Sequence, residues 1–424
     1  MEYIPRAQEQ LVLRYSQTFK VVAVTGPRQV GKTSMLRHLI ESSEDANDER
    51  RYVSLDNTRQ RDLAKSDPEL FLQRFRPPVL IDEIQYAPEL LPYIKLAVDS
   101  SNKPGQFWIT GSQPFHLMRS VSESLAGRVG IIEMLGLSHS EWSGVASTPF
   151  LPSAEYFENR VEVCTRLNSD EVFERIAAGS FPGIATLPSD VRPAAYDALV
   201  DTYLMRDIRD LSQVADELKF RRFMTAVASL TARPVVYAEL ARMADVDQKT
   251  AKAWLSLLVS SYLVKLVQPY ANNVLKRLVK QPVMHFIDTG LAAHLTGWNS
   301  SQALELGASS GRFFETHVFG EVYKSYANAG QRPPVWFFRN NDKKEIDLLL
   351  ERDGTLYPVE VKQSANPSKG DIKNFSALEP AAARDLPPEL EAFRREIGLG
   401  TVVCLNPETL PLSHNAWSFP VWAI

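Results

Sequence analysis

The segment VVAVTGPRQVGKTS, residues 21–34, joins a short apolar run to a glycine-rich loop. The run VVAVT predicts a buried strand that ends at the loop, and residues 32–40 predict the helix that follows it. The loop matches the pattern G-x-x-x-x-G-K-[ST] at every position, between the strand and the helix that this pattern requires. The segment therefore predicts an α/β fold with a phosphate-binding loop.

The same loop predicts which residues contact a nucleotide. Glycines let backbone amides curl around phosphate oxygens, and the following helix directs the positive end of its dipole at the anion. Lys32 is expected to reach the β- and γ-phosphates, and the Thr33 hydroxyl is expected to bind Mg²⁺. ATP and Mg²⁺ are thus the predicted cofactors, and the predicted binding residues are Gly26, Pro27, Arg28, Gln29, Val30, Gly31, Lys32, Thr33 and Ser34.

Two further apolar runs end in polar residues that suit the same site. The run VLI at 79–81 is followed by Asp82 and Glu83. Asp82 is predicted to hold Mg²⁺ through water or through Thr33, and Glu83 is predicted to polarise the attacking water. The run FWIT at 107–110 leads to Ser112, which could sense the γ-phosphate from a neighbouring strand tip.

The order of the apolar runs predicts the core. Strands expected at 21–25, 52–55, 79–81 and 107–110 alternate with helices up to about residue 145. Such alternation is typical of a parallel sheet that is covered by helices on both faces. Helical patterns follow, one of them at 196–211.

A helix–turn–helix pattern occupies residues 234–268. Residues 235–243 and 248–260 predict two helices that are joined by a short turn. Lys249, Thr250 and Lys252 begin the second helix, where a recognition helix meets a DNA groove. LVKLVQPY then predicts a wing strand, and Lys276 and Arg277 add a basic cluster. The alternative is a helical pair that serves only packing.

The segment EIDLLLERDGTLYPVEVK, residues 345–362, predicts a β-hairpin. Its alternation flanks Asp353-Gly354, the preferred pair for a two-residue turn. This turn sets Asp347 opposite Glu360, on the face that also carries Lys362. Opposed carboxylates repel each other. Lys362, a proton or a divalent metal would offset the repulsion, so a structural charge pair and a metal site are both open.

Composition limits the class of protein. The 424 residues are 44% hydrophobic and 23% charged, which is typical of globular proteins, and this length predicts roughly two to four domains. The formal net charge of −4 confines any nucleic-acid surface to a local patch. No apolar run reaches the ~20 residues that span a bilayer, and Cys164 and Cys404 lie in no metal-binding spacing. We expect a cytoplasmic protein with no membrane partner.

Several of these motifs resemble one family. GPRQVGKT, LIDEIQYAPEL and ITGSQ, with SLAGR, FPG, YLMRDI, FIDTGL and PVEVK, resemble prokaryotic AAA+ ATPases whose C-terminal half is a domain of unknown function. The resemblance implies a RecA-like core and a homo-oligomer, such as a ring. In such ATPases an arginine of one subunit often completes its neighbour's site. Arg128 in SLAGR is the first candidate for that role, and Arg206 in YLMRDI is the second.

The hairpin carries a second resemblance. Asp347 followed by Glu360-Val361-Lys362 resembles the core of restriction-endonuclease-like nucleases. The resemblance implies that the two acids bind Mg²⁺ and that Lys362 orients or activates water. An acid from a preceding helix often joins them. Glu315, with Glu321 behind it, is the candidate in a predicted amphipathic helix at 312–326.

These observations together predict four domains. They are a RecA-like AAA+ core at 1–145, a helical lid or linker at 146–230, a winged-helix-like module at 231–285, and a nuclease-like α/β domain at 286–424. The predicted function is an oligomeric, Mg²⁺-dependent AAA+ ATPase that acts on DNA. A nucleotide-dependent switch that binds protein partners and an ATP-gated DNA nuclease are the alternatives.

Overall fold

The computed structural model describes residues 3–42, 50–112, 125–204, 216–270, 281–298, 300–340, 342, 344–378 and 395–424. The candidates Arg206, Lys276 and Arg277 lie outside these ranges. Within them, no helix combines the length and the apolar character that crossing a bilayer requires.

A parallel five-stranded sheet forms the N-terminal part, in the order β2-β3-β4-β1-β5. Its strands are β1 (Val21–Thr25), β2 (Arg51–Ser54), β3 (Val79–Asp82), β4 (Phe107–Gly111) and β5 (Val129–Glu133). The first four confirm the predicted strands. The sequence analysis did not predict β5, whose sequence is VGIIE and whose burial alternates along the strand.

Helices cover both faces of this sheet, as predicted. Val22 and Val24 of β1 belong to one buried apolar cluster, whereas Val21 and Ala23 belong to another. Because successive side chains of a strand point to opposite faces, the two clusters are the two sides of the sheet. The helices of this part are α1 (Glu9–Ser16), α2 (Lys32–Glu41), α3 (Thr58–Ser66), α4 (Pro68–Arg74) and α5 (Leu90–Asp99).

Six helices follow among the described residues. They are α6 (His139–Ser143), α7 (Ala154–Val163), α8 (Ser169–Ala178), α9 (Pro182–Ala185), α10 (Arg192–Leu199) and α11 (Glu217–Ser229). The helical pattern predicted at 196–211 is helical as far as the structure describes it, up to residue 204, but it is not α-helical throughout. The α-helix ends at Leu199, and the chain continues as a π-helical segment, Val200–Leu204.

The two helices of the 234–268 pattern are present. They are α12 (Tyr237–Ala244) and α13 (Gln248–Ser260). Asp245 ends α12 in the left-handed conformation, with φ of 55°, and the Asp247 side chain caps α13. A small antiparallel sheet accompanies these helices. Its strands are β6 (Arg233–Pro234), β7 (Val264–Val267) and β8 (Val283–Phe286), in the order β6-β8-β7.

The C-terminal part places helices against a second sheet. The helices are α14 (Thr289–Leu295), α15 (Ser301–Leu306) and α16 (Ser310–Asn328). The sheet has seven strands in the order β14-β15-β13-β11-β10-β9, with β12 beside β11. Its strands are β9 (Val335–Arg339), β10 (Glu345–Arg352), β11 (Thr355–Lys362), β12 (Glu396–Ile397), β13 (Gly400–Cys404), β14 (Pro411–Ser413) and β15 (Ala416–Pro420).

The predicted hairpin is β10 and β11. Arg352 pairs with Thr355 and Leu348 with Val359, which is the predicted register. Asp353 and Gly354 both have positive φ, of 51° and 81°, as a type I′ turn demands. The prediction of an amphipathic helix at 312–326 is wrong in character. From Thr316 to Val322 every side chain of α16 is buried, because several elements enclose the helix.

The parts of the chain share one core. A single buried apolar cluster includes Leu11 of α1, Leu240 of α12 and the C-terminal Ile424. Arg160 of α7 holds the segment at Ile424 in place, because its guanidinium donates to the backbone oxygens of Ala423 and Ile424. The three boundaries between the four predicted domains stay a prediction.

Candidate functional site

The glycine-rich loop has a backbone that its glycines make possible. Gly26 has φ of 150°, and a Cβ built there would lie 1.9 Å from the carbonyl oxygen of Met134. Gly31 has φ of 92° and immediately precedes α2. No side chain caps the first turn of α2. Its amides and its dipole are therefore directed toward the loop, which is the arrangement that binds phosphate.

Lys32 is buried at the start of α2. Its Nζ donates hydrogen bonds to the carbonyl oxygens of Gly26, at 3.0 Å, and of Pro27, at 2.7 Å. The ammonium is therefore held inside the curl of the loop, where the motif predicts it to face a nucleotide's phosphates.

Asp82, at the end of β3, joins the strand to the loop. Its Oδ1 accepts hydrogen bonds from the Thr33 hydroxyl at 2.7 Å and from the Thr110 hydroxyl at 2.5 Å. Its Oδ2 accepts one from the Tyr52 hydroxyl at 3.2 Å. Burial raises the pKa of Asp82, while the bonds from Thr110 and Thr33 oppose that rise. The structure thus brings the two predicted Mg²⁺ ligands, Thr33 and Asp82, into direct contact.

Glu83 and Ser112 also meet, through a residue that the sequence analysis missed. The Gln85 side chain donates from Nε2 to Glu83 Oε2 and to Ser112 Oγ, the latter at 3.1 Å. Ser112 Oγ itself donates to Glu83 Oε2 at 3.3 Å. Glu83 has positive φ, of 58°, and its amide donates to the Thr110 hydroxyl. Strand tips β3 and β4 therefore hold the carboxylate beside the phosphate loop.

Arg6 is a second residue that sequence reasoning missed. It is 5% exposed, and its guanidinium donates to the backbone oxygens of Val30 at 2.6 Å and Leu135 at 2.8 Å. Its Nε pairs with Glu141 at 2.8 Å. Arg6 therefore fixes the phosphate loop to the segment after β5. No local motif marks this contact, since Arg6 and Leu135 are far apart in sequence.

Arg128 lies at the other end of the sheet. It precedes β5, and its carbonyl accepts from the amide of Val21, the first residue of β1. The phosphate loop follows the last residue of β1. The Arg128 guanidinium is partly exposed and binds both oxygens of Asp99, at 2.5 and 3.0 Å. Within one chain the structure does not bring Arg128 to the loop, so action in a neighbour's site stays a prediction.

The hairpin brings together the four residues predicted there. Lys362 Nζ donates to Glu360 Oε1 at 2.7 Å, while the buried Glu360 Oε2 has no hydrogen-bond partner among the described residues. Asp347 Oδ2 accepts from the amide of Val361 at 2.8 Å. Burial and the nearby Asp347 raise the pKa of Glu360 to about 7. Burial and the same carboxylates raise the pKa of Glu315, which approaches from α16.

This carboxylate set is less compact than a metal centre. In the described part of the chain, one group of three His, Cys, Asp or Glu residues has ligand atoms within 4.8 Å of one another, and it lies elsewhere. That group includes Glu321, whose Oε2 accepts from the amide of His139. The placement of Glu321 behind Glu315 is therefore wrong, because α16 turns its side chain toward α6.

The predicted DNA-contacting residues begin α13. Lys249 and Lys252 are exposed, whereas Thr250 is partly buried. The amide and the hydroxyl of Thr250 both donate to the Asp247 carboxylate at 2.8 Å. Thr250 therefore serves the helix cap, and of the three predicted residues the two lysines are exposed to solvent.

Three family models match separate parts of the chain. A family described as "AAA domain" matches residues 18–143. Two families described as domains of unknown function, DUF8612 and DUF4143, match residues 169–302 and 310–424. The nucleotide-site residues described above, apart from Arg6, lie within the AAA domain.

The chain is also similar to whole proteins. It is 31% identical over 350 residues to the uncharacterized protein Rv2008c of Mycobacterium tuberculosis, a match that covers 82% of this chain and 71% of that protein. The uncharacterized protein Mb2031c of Mycobacterium bovis matches equally. Among solved structures, a Walker-type ATPase of Pyrococcus abyssi has a TM-score of 0.39 at 16% identity, over 69% of this chain and 96% of that one. Aquifex aeolicus DnaA bound to AMPPCP has a TM-score of 0.24 at 14% identity, over 60% and 86%.

Proposed function

The chain belongs to the same protein family as Rv2008c of Mycobacterium tuberculosis, and we propose that its AAA domain binds ATP with Mg²⁺ and hydrolyses ATP. One observation carries the proposal. The Thr33 hydroxyl of the phosphate loop and the Asp82 carboxylate of β3 are already hydrogen-bonded at 2.7 Å. The two halves of a P-loop nucleotide site therefore meet although they are distant in sequence.

The residues present fit a Mg²⁺ ion. Hydroxyl and carboxylate oxygens are the donors that Mg²⁺ prefers, and Thr33 and Asp82 offer them side by side. When bound, the ion would neutralise charge on the β- and γ-phosphate oxygens. Lys32 binds those oxygens, and the glycine at position 26 lets the loop pass against the Met134 carbonyl, where a Cβ would lie 1.9 Å from the oxygen.

Glu83 is the residue that polarises water in this proposal. Its carboxylate is held at the tips of two adjacent strands by Gln85 and Ser112. The Ser112 hydroxyl is also the group that can contact the γ-phosphate from β4. A fixed carboxylate lowers the cost of ordering the attacking water, which is how a positioned base contributes to catalysis.

Phosphate release and ATP titration calorimetry test the proposal. Wild-type protein with Mg²⁺ is expected to hydrolyse ATP, and Lys32→Ala is expected to lose ATP binding. Arg37→Ala is the matched control, because Arg37 lies on the same helix with an exposed side chain. Absence of hydrolysis in the wild type, or unchanged binding by Lys32→Ala, would overturn it.

We further propose that the ATPase is a homo-oligomer that acts on DNA. Two exposed lysines, Lys249 and Lys252, begin the second helix of a helix–turn–helix pair, which is where such pairs contact DNA. The Arg128 guanidinium binds both oxygens of Asp99 and lies remote from the phosphate loop of its own chain. This placement suits a role in a neighbouring subunit's site.

The DNA role is tested by fluorescence anisotropy and by ATPase rates with duplex, branched and single-stranded DNA. The double variant Lys249→Ala/Lys252→Ala is expected to weaken binding. Lys65→Ala/Lys103→Ala removes the same charge from exposed positions elsewhere and should bind normally. Equal weakening by both pairs would leave only a general charge effect and would count against this surface.

Mixing two inactive variants tests the oligomer. If Arg128 acts in a neighbour's site, Arg128→Ala mixed with Lys32→Ala should regain hydrolysis, because intact arginines of one partner then serve intact loops of the other. Asp99→Ala, which frees Arg128 without removing it, is the control. No recovery at any mixing ratio, despite demonstrated co-assembly, would exclude the shared site.

A second candidate activity is DNA cleavage at the hairpin. The observation that favours it is the buried Glu360 Oε2 beside Asp347, which has no hydrogen-bond partner in the part of the chain that the structure describes, because a divalent cation would supply one. Cutting or nicking with Mg²⁺ or Mn²⁺ is expected to disappear in Asp347→Ala while ATP hydrolysis persists. Should no DNA be cut with either metal, the hairpin is a structural or binding element.

A further inference from the structure

A buried polar cluster outside the nucleotide site and the hairpin joins α6 to α16. His317 and Glu321 are four residues apart on α16 and therefore project from the same side of the helix. His139 of α6 faces them, and its Nε2 lies 2.8 Å from Nε2 of His317. All three residues are at most 7% exposed. Three potential metal ligands from two separate helices thus converge inside the protein.

The spacing of the donor atoms suits a transition metal. One ligand atom from each of His139, His317 and Glu321 lies within 4.8 Å of the other two. An ion with bonds of about 2.0–2.2 Å to nitrogen and oxygen needs ligand atoms no more than about 4.4 Å apart, so small side-chain shifts would close the triangle around it. Tetrahedral geometry separates two nitrogen ligands by about 3.3 Å, so the imidazoles would part by about 0.5 Å. Two imidazoles and one carboxylate form a recognised donor set for Zn²⁺.

A neighbouring charged group already orients the carboxylate. Lys324 Nζ binds Glu321 Oε1 at 2.5 Å and the carbonyl oxygen of Leu137 at 2.8 Å. The other oxygen, Oε2, accepts from the amide of His139. Outer groups that hold a ligating carboxylate in this way are the usual support of a metal site. Lys324 also adds a positive charge, which lowers the affinity for a cation without blocking the imidazole nitrogens.

The fourth coordination position of the ion would face a cleft. A small cleft of about 20 Å³, enough for one water-sized ligand, lies against the cluster and is lined in part by Trp142, Arg175, Ser180 and Thr289. Because Lys324 cancels the charge of Glu321, a bound divalent ion would leave the site positive. Its fourth ligand would therefore be an anion or hydroxide, which Arg175 at the same cleft would also favour.

We propose that His139, His317 and Glu321 form a binding site for Zn²⁺ that links the AAA domain to the C-terminal part of the chain. His139 lies at the end of the matched AAA region and the other two ligands lie in the C-terminal region. The bound ion stabilises the packing of α6 against α16 by replacing one imidazole hydrogen bond with three coordinate bonds. The imidazole that donates this hydrogen bond changes tautomer, so that its proton moves from Nε2 to Nδ1. The site is independent of the Mg²⁺ ligands Thr33 and Asp82.

Metal analysis of the full chain tests the proposal. Protein treated with a chelator and then given stoichiometric Zn²⁺ should retain one ion per chain, raise its Tm, and show two histidine ligands by X-ray absorption. Co²⁺ should give the visible absorption of a four-coordinate site. These measurements use the wild type, so they decide the matter even if a variant fails to fold. No retained Zn²⁺, or an ion without histidine ligands, would overturn the proposal.

Variants distinguish a metal site from an ordinary buried charge pair. His317→Gln should weaken Zn²⁺ binding on the order of 10²-fold or more, since even supporting groups are worth 10–100-fold. His294→Gln is the control, because His294 bonds only to Asp197 near the surface among the contacts described. Lys324→Met should destabilise the metal-free protein, and Zn²⁺ should restore its Tm. If Zn²⁺ does not restore it, Glu321 and Lys324 are only an ion pair.

Discussion

Asp82 and Glu360 are carboxylates of similar burial, with exposures of 4% and 5%, and each lies at or near the carboxyl end of a strand. Their surroundings differ. Asp82 accepts hydrogen bonds from three hydroxyls, of Thr33, Tyr52 and Thr110. Glu360 has one ammonium partner, Lys362, and its second oxygen has no hydrogen-bond partner among the described residues. Burial, and then Asp347, raise its pKa.

The difference follows from how each sheet brings strands together. In the parallel sheet, the carboxyl ends of β2 and β3 and the start of α2 meet at one edge, and the end of β4 supplies Thr110. Hydroxyl donors from separate elements therefore surround Asp82. In the hairpin, period-two alternation brings like charges onto one face. Asp82 is thus satisfied by neutral donors, whereas Glu360 requires a proton or a cation.

The largest effect is expected at the nucleotide site, where Glu83 is proposed to polarise the water that attacks ATP. Glu83→Gln keeps the shape and the hydrogen bonds at the strand tip but removes the base. ATP binding should persist, and hydrolysis should fall about 10²–10⁴-fold, which is the usual contribution of a general base. Single-turnover hydrolysis and calorimetry measure the two separately.

Glu89→Gln is the matched control for that variant, since Glu89 is exposed and follows the same strand. Hydrolysis at the wild-type rate by Glu83→Gln would show that another residue polarises water. The comparison of Asp82 with Glu360 would then say nothing about catalysis, although the hydrogen bonds to Asp82 would remain.

A smaller effect is expected from one hydroxyl. Thr110→Val conserves shape but removes a donor to Asp82 and an acceptor for the Glu83 amide. Leaving buried polar groups without partners costs about 1–3 kcal/mol, so urea unfolding should show a loss of that size. Thr18→Val, at an exposed position, should change little. Equal stability of the two variants would mean that Asp82 does not depend on its hydroxyl shell.

Sequence reasoning reached the features that are encoded locally. Residues 26–33 are contiguous, so their pattern specifies the loop without knowledge of the rest. The Asp353-Gly354 turn likewise fixes the register of the hairpin, because each strand then pairs by counting outward. Both predictions needed only neighbours in sequence or a single turn.

What escaped prediction depends on contacts between distant segments. Arg6 binds the loop at Val30 only after the chain returns at Leu135. Gln85 reaches Ser112 because β3 and β4 are adjacent, an order that the sequence pattern did not specify. The sequence suggests Glu321, after Glu315, as a helix acid near the hairpin. The rotation of the enclosed helix α16 instead turns the Glu321 side chain toward His139. Helix rotation and strand order are tertiary properties.

The smallest effect is expected at the unsatisfied carboxylate, and its sign depends on pH. The pKa of Glu360 is raised from 4.5 to about 7 in the folded chain, chiefly by burial and then by Asp347. The folded chain therefore holds this proton more tightly than the unfolded chain does. The stability that this proton contributes is fully present below pH 4.5 and is lost as pH rises through about 7.

Glu360→Gln mimics the protonated form, so it should unfold at a higher temperature than the wild type above pH 7 and show no gain at acid pH. A difference of 1 kcal/mol would shift Tm by about 1 °C, because an unfolding entropy of about 2.1 cal/mol/K per residue amounts to about 0.9 kcal/mol/K over 424 residues. Glu351→Gln is the control on the same hairpin, since Glu351 is paired with Arg395 at 2.8 Å and its removal should only destabilise. If Glu360→Gln is the less stable protein above pH 7, Lys362 alone compensates Glu360, and the two carboxylates differ less than their contacts indicate.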